Sequence, residues 1–286
     1  MKEQFDHELV SSFYIWLENQ LLSDRVAAYQ TGLANTYSYV DAFDIPEGFV
    51  AYQGSYRQLV AEANVDLRNS GIFVNSNFVP LSNSGVYTDY NNGRIIFPSA
   101  SGSNLNISSI STVKEVNTYL INDNSEQTLL EGDFRENGET YPKSQSKTEK
   151  HDEKIYFLPA CFVTPSVSDN KELAFGGEED TQTRIRVMVL AHDNFTLDAV
   201  LSCFRDSARK CIPMIGYDSY PYGAFGSLKS FPYRYNDLVS GSSSNTYIKK
   251  VNASRVSSQS FKNKLDKSIT IGFLDFDLST FRFPRL

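Results

Sequence analysis

The chain has 286 residues, 41% apolar and 13% aromatic, with 27 Lys and Arg against 34 Asp and Glu and a formal charge of -7. That length supports a sizeable core in one large or two ordinary domains, and the acidic balance argues against a protein built to grip nucleic acid, which needs a basic face. No apolar run approaches the ~20 residues of a membrane helix, the opening MKEQFDHELV lacks the apolar centre of a signal peptide, and Cys161, Cys203 and Cys211 show no pairing pattern. The cysteines therefore read as reduced thiols in a protein made in a cytoplasm, with Cys161 and Cys203 as small buried apolar residues.

Residues 4–30 carry Phe5, Leu9, Phe13, Trp16, Leu17, Leu21 and Val26 at spacings of three to five, which predicts an amphipathic helix with Glu8, Ser12, Glu18 and Asn19 off its apolar stripe. Trp16 on that stripe suits a core or a docking face. Residues 31–60 are rich in Tyr, Gly and Ser and read as extended segments and turns. In 61–121, GIFVNSNFVPL predicts two short strands around Asn75-Ser76-Asn77, and VKEVNTYLI a further one. Between them, GVYTDYNNGRIIF alternates as a strand, turns at Asn92-Gly93 and returns. Asn-Gly predicts a type I′ hairpin, which needs positive φ at both central residues. Asp89 and Arg94 flank the turn as a possible surface pair, worth only ~0–1 kcal/mol.

Residues 122–154 are the most polar stretch of the chain and predict a long exposed loop. Beyond it, IYFLPACFVTP reads as a buried strand with a Pro stop. RIRVMVLAHD reads as an alternating strand, with Ile185, Val187 and Val189 opposite Arg184, Arg186 and Met188. A helix follows over TLDAVLSCFRDSARK, capped by Asn194 or Thr196 and striped by Leu197, Val200, Leu201 and Phe204. An aromatic, glycine-rich loop over 217–235 leads to two late strands, TYIKKVNASRVS and SITIGFLDFDL, which can pair as a hairpin. The expected fold is α+β. A helix plus a β-rich unit with hairpins spans 1–121, a polar loop 122–154, and a mixed α/β unit with a sheet packed by one helix 155–286.

The chemistry-bearing residues are sparse. His7 and His151 lie at the start and in the charged loop, and only His192, beside Asp193, follows a strand. Neighbours on an extended chain point apart, and no G-x-S-x-G, H-E-x-x-H, C-x-x-C or EF-hand loop occurs. The acidic runs 123–126 and 178–180 read as solvated loops. No catalytic residue, metal or cofactor is expected. The informative features are polar arms, aromatic loops and hairpins, the usual equipment of a subunit in a larger assembly.

Three stretches together resemble structural proteins from the head–tail joint of tailed bacteriophages. They are the helix HELVSSFYIWLENQLL, the hairpin GVYTDYNNGRIIF, and the strand–helix–strand run RIRVMVLAHDNFTLDAVLSCFRDSARKCIPMI, the last similar to tail-terminator subunits. The resemblance covers about half the chain, and its β-rich first half departs from a minimal terminator. It implies a non-enzymatic virion protein, assembled in the host cytoplasm, that forms a ring, often a hexamer. Such a ring contacts other neck proteins and the tail tube or sheath, and lets DNA pass through its lumen without tight binding. Asp89, Asn92, Gly93 and Arg94 then form a structural hairpin, and Trp16, Tyr37, Tyr39, Tyr220, Tyr222 and Phe225 are candidate interface residues. Three other readings stay open: a receptor- or glycan-binding virion module using the aromatic loops, another tail or baseplate structural subunit, and a hydrolase centred on His192 and Asp193.

Overall fold

The computed structural model describes residues 5–41, 44–65, 71–81, 85–99, 104–121, 127–129, 132–136, 154–164, 168–173, 177–230, 232–256 and 269–283. The protein is α+β and strand-rich, with one long N-terminal helix and two curled sheets.

Helix α1 (Phe5–Leu22) is followed by β1 (Tyr29–Val40), β2 (Phe49–Gly54), β3 (Gly71–Val74), β4 (Asn77–Pro80), β5 (Tyr87–Asp89), β6 (Arg94–Pro98) and β7 (Ile107–Lys114). These seven strands form the first sheet in the order β4-β3-β7-β1-β2-β6-β5, with every described pairing antiparallel. The second half adds β8 (Asn117–Leu120), β9 (Gly132–Glu136), β10 (Lys154–Leu158), β11 (Ala160–Thr164), β12 (Ser168–Glu172) and β13 (Glu179–Ala191). After them come α2 (Asn194–Arg205), β14 (Cys211–Met214), the short helix α3 (Tyr235–Val239), β15 (Ser243–Arg255) and β16 (Thr270–Arg282). The second sheet runs β14-β15-β16-β13-β11-β8, with β12 also on β13. The late strands β15 and β16 pair directly, as their alternation predicts, and the link at 257–268 lies outside the described residues.

The main core lies on one face of the second sheet. Ile185, Val187, Val189, Leu274, Phe276 and Leu278 meet Leu9, Phe13, Trp16 and Leu17 from α1 and Leu197, Val200, Leu201 and Phe204 from α2. Phe13 and Phe276 rings meet edge-on at 5.0 Å, a favoured aromatic geometry. This corrects the expected grouping of the first helix with the β-rich unit. Its apolar side chains belong to the other sheet, which already needs a cover on that face, and β8 is likewise a strand of the second sheet. Trp16, only 3% exposed, is core.

The opposite face of the same sheet is covered by a second cluster, in which Met188 and Leu190 pack with Phe162, Leu158, Ile271 and Leu129. Here the loop expected over 122–154 is corrected. Residues 132–136 are strand β9, paired in parallel with β10. Phe134 stacks on Tyr156 at 5.9 Å, and Leu129 is buried. The run 137–153, with His151, lies outside the described residues. Pro159 divides the single strand expected over 155–164 into β10, in this two-stranded pair, and β11, in the large sheet.

Two helix ends also differ from expectation. Helix α1 stops at Leu22, where the Ser23 hydroxyl donates to the Gln20 carbonyl at 2.7 Å. Ala27 then takes a left-handed φ of 48° before β1. Serine competing for backbone carbonyls is a common helix stop. Helix α2 is capped one residue earlier than predicted. Asp193 accepts from the Thr196 N–H at 2.7 Å, and the Thr196 hydroxyl donates to its other oxygen at 2.7 Å.

Candidate functional site

The hairpin at 85–97 is built differently from its sequence signature. Asp89 pairs with Arg94 across the ladder, so the loop is the four residues Tyr90–Gly93. Of these, only Gly93 has positive φ, at 61°. The Asp89 carboxylate organises the turn, accepting from the Asn91 and Asn92 N–H groups at 3.1 and 3.0 Å and from the Asn92 side chain at 2.8 Å. That replaces the expected type I′ turn, because a side-chain acceptor supplies what the backbone would otherwise obtain from two left-handed residues. The left-handed pair occurs instead at Asn75 and Ser76, with φ of 48° and 69°, between β3 and β4.

Nor do Asp89 and Arg94 form the expected surface pair. Arg94 is buried, and its Nη1 donates to both oxygens of Asp44, at 2.9 and 2.6 Å, a charge-assisted contact. Its Nε donates to Gln53 Oε1 at 3.1 Å. Arg57 Nη1 donates to the same oxygen at 2.6 Å and to the Asn92 carbonyl at 3.0 Å. The turn is therefore an internal junction.

Its other face receives a segment from the second half. Phe225 packs on Tyr87 at 5.3 Å and on Phe49 at 5.1 Å, and Gly226 approaches Asp89 so closely that a Cβ there would lie 3.1 Å from its carboxylate. Tyr220 and Tyr222 pack against the main core, and Tyr222 also meets Tyr233. Tyr37 is buried in the core of the first sheet, with its hydroxyl 3.0 Å from that of Ser109. Of the six expected interface residues, Trp16, Tyr37, Tyr220, Tyr222 and Phe225 thus face inward, where aromatic area is buried within the chain. Tyr39 alone is largely exposed.

Between the halves sits an ionic cluster that the sequence did not expose. Glu18 on α1 pairs with Lys114 at the end of β7, and both are buried, at 6% and 4% exposure. The Thr118 hydroxyl donates to Glu18 at 2.6 Å, the Tyr14 hydroxyl donates to the Thr118 carbonyl at 3.1 Å, and Gln58 brackets Thr118 through bonds of 2.6 and 2.7 Å. Burial, followed by the charge of Glu18, pushes the Tyr14 and Tyr222 hydroxyls well above the ordinary tyrosine range. A cavity of about 10 Å³, room for one water, touches Glu18, Glu62, Lys114, Tyr222 and Tyr233.

Glu62 closes this junction. It accepts from the Tyr235 N–H at 2.7 Å and the Asn64 N–H at 3.2 Å. Burial pushes its carboxyl up, with those two donors opposing. The folded chain therefore holds this proton more tightly than the unfolded chain, so stability falls as pH rises from about 4.5, the unfolded value, through the higher folded value. Asp89, also raised by burial, acts in the same sense from about 3.8. Glu62→Gln is expected to flatten part of this slope in urea midpoints measured against pH. An unchanged slope would assign the effect to other groups.

The surface has one apolar face and, elsewhere, a pair of exposed apolar side chains. On the first sheet, the outer face of β2, β6 and β5 is covered by Ile45, Val40 and Phe225 packed on Ala51 and Ile96. The outer face of β4, β3, β7 and β1 is bare. It presents Phe78, Phe73 and Ile110, exposed by 53%, 42% and 52%, beside Ser108, Ala34, Thr36 and Ser38, all uncharged. The rings of Phe73 and Phe78 meet at 5.6 Å, and β4 is an edge strand. At one end of the second sheet, Leu173 and Phe283 are two exposed apolar side chains on either side of β13, each one residue beyond the charged row Glu172, Glu179 and Arg282.

Both Asp193 oxygens hold Thr196, and among the described residues no hydrogen bond joins Asp193 to His192. Among the described residues, no three His, Cys, Asp or Glu gather to hold a metal, and no helix is long and apolar enough to cross a membrane. No protein-family model matches the chain, and no curated protein matches it.

Proposed function

We propose that the chain is a non-enzymatic structural subunit that assembles head to tail into a ring at the head–tail junction of a tailed bacteriophage. One observation carries the assembly half of this reading: the chain bears a bare uncharged apolar face around Phe73, Phe78 and Ile110 and, on the other sheet, a different surface with exposed Leu173 and Phe283 beside charged residues. A contact between unlike patches repeats head to tail and makes a ring where its rotation closes, whereas a two-fold dimer uses one patch twice. An uncharged apolar centre is also what separates an interface from ordinary surface. The phage half rests on the resemblance of 7–22, 85–97 and 184–215 to neck and tail-terminator proteins, and the charge of -7 suits a lumen that passes DNA without holding it.

The test is the mass of the full chain by light scattering, alone and with purified tail tubes, for the parent and for Phe73→Asp/Phe78→Asp. A defined multimer, alone or on the tube, that the double variant loses is expected. A chain that stays monomeric and ignores tubes overturns the terminator reading. A multimer unchanged in the variant overturns the patch assignment.

A further inference from the structure

A cleft of about 410 Å³ opens between the two sheets, where the end of β7 and the following turn face the start of α2. Its size falls in the range of small-molecule and side-chain sites. One wall is apolar, from Leu33, Val113, Val116 and Leu158. Its polar groups are mostly suited to accepting hydrogen bonds from a cation. Glu115 is exposed at the cleft and has no ion-pair partner among the described residues. Tyr56 offers a ring face and a hydroxyl. His192 lines the same cleft, and its Nε2 is buried with no hydrogen-bond partner. The cation that also lines the cleft, Lys114, is committed elsewhere, to Glu18 and Thr118.

We propose that this cleft binds an aliphatic cation, an amine or guanidinium on a short apolar stem. The stem lies along Leu33, Val116 and Leu158, as long basic side chains lie along apolar surface. The charged head meets the Glu115 carboxylate and the Tyr56 ring, and donates to His192 Nε2, an acceptor when the imidazole carries its proton on Nδ1. Two sources supply this chemistry: a free polyamine, or a Lys or Arg side chain of a neighbouring polypeptide. The proposal does not depend on the ring reading.

The chain contains three histidines, so long-range nitrogen–proton imidazole spectra of the labelled full-length protein are readable, with His192→Phe assigning the signal. The protein is titrated with putrescine, n-butylguanidinium and acetyl-Ala-Arg-Ala-amide, with n-butanol as the uncharged control. A saturable shift confined to His192 is expected for at least one cation and not for butanol, weakened about tenfold in Glu115→Gln through loss of a charge-assisted contact. Binding by putrescine assigns a free polyamine. Binding by the peptide alone assigns a partner's basic side chain. No shift at His192 with any cation, equal binding by butanol, or undiminished binding in Glu115→Gln would overturn the proposal. Glu115 is exposed and its side chain makes none of the described hydrogen bonds or ion pairs, so the variant keeps the parent fold.

Discussion

Replacing Lys114 with methionine is expected to destabilise the protein by about 3–5 kcal/mol, the cost of leaving a buried charge without its partner. The Glu18 carboxylate would remain inside, 6% exposed, held by the Thr118 hydroxyl. The double variant Glu18→Gln/Lys114→Met should recover much of that loss. A neutral amide costs far less to bury than a carboxylate, and it still offers Thr118 an acceptor. Urea unfolding of the parent, both single variants and the double variant gives the coupling energy directly. Additive losses would mean that the two groups do not meet. The pair ties α1, which covers the second sheet, to the last residue of the first sheet, so its loss should also loosen the two sheets relative to each other. Hydrogen exchange at β7 and β8 would report that loosening.

The second large effect is expected at Gly93. A Cβ there would collide with the carbonyl oxygen of Tyr56, a backbone atom that cannot rotate away, and φ is 61°. Gly93→Ala should cost about 2–5 kcal/mol, the sum of left-handed strain and overpacking. The damage should spread. The Gly54 N–H donates to the Gly93 carbonyl at 3.0 Å, and Gln53 and Arg57 bond the preceding Asn92 carbonyl. Differential scanning calorimetry measures the loss. A change within about 0.5 kcal/mol, the ordinary range of a surface substitution, would show that the turn relaxes freely and is not the junction described here.

This turn also shows where sequence reading succeeds and fails. Asn92-Gly93 correctly marked a hairpin, since glycine is required at Gly93. Its type was misread because Asp89, three residues before Asn92, caps the turn with its side chain. The two strands flanking Asn75-Ser76 were equally legible, although nothing in those residues announced that they would take the left-handed pair of φ values. Helix α1 was legible from its stripe, but its partner was not, because amphipathicity shows that a face is buried and not what buries it. Glu18 was assigned to the solvent side of that stripe. The available signal was that Val10, Tyr14 and Ile15 widen the apolar surface beyond a single face, and a helix buried nearly all round must pair its polar members. Lys114, 96 residues away, is not visible from local pattern. Strand β9 was read as loop for a similar reason. GDFRE is polar, and it becomes a strand only by pairing in parallel with β10.

The six interface residues expected from sequence are all aromatic, and the fold turns five of them inward and leaves Tyr39 exposed. The exposed apolar face is made of Phe73, Phe78 and Ile110, residues that alternation alone assigns equally well to a core. Which side of a strand faces the core depends on what else covers the sheet. Here Phe225 and the segment around Ile45 cover one half of the outer face and leave the other bare.

Head-to-tail association is tested most directly by mixing two cysteine variants, Phe78→Cys and Phe283→Cys, in a chain whose Cys203 and Cys211 are serine; Cys161, its thiol pushed up to about 12 by burial, stays inert. Each variant alone should stay uncross-linked under mild oxidation, the mixture should give a disulfide-linked pair, and the chain carrying both cysteines should give covalent species that stop at one closed multimer. Cross-linking of Phe78→Cys with itself, and no pair joining Phe78→Cys to Phe283→Cys in the mixture, would show a two-fold contact and contradict the ring.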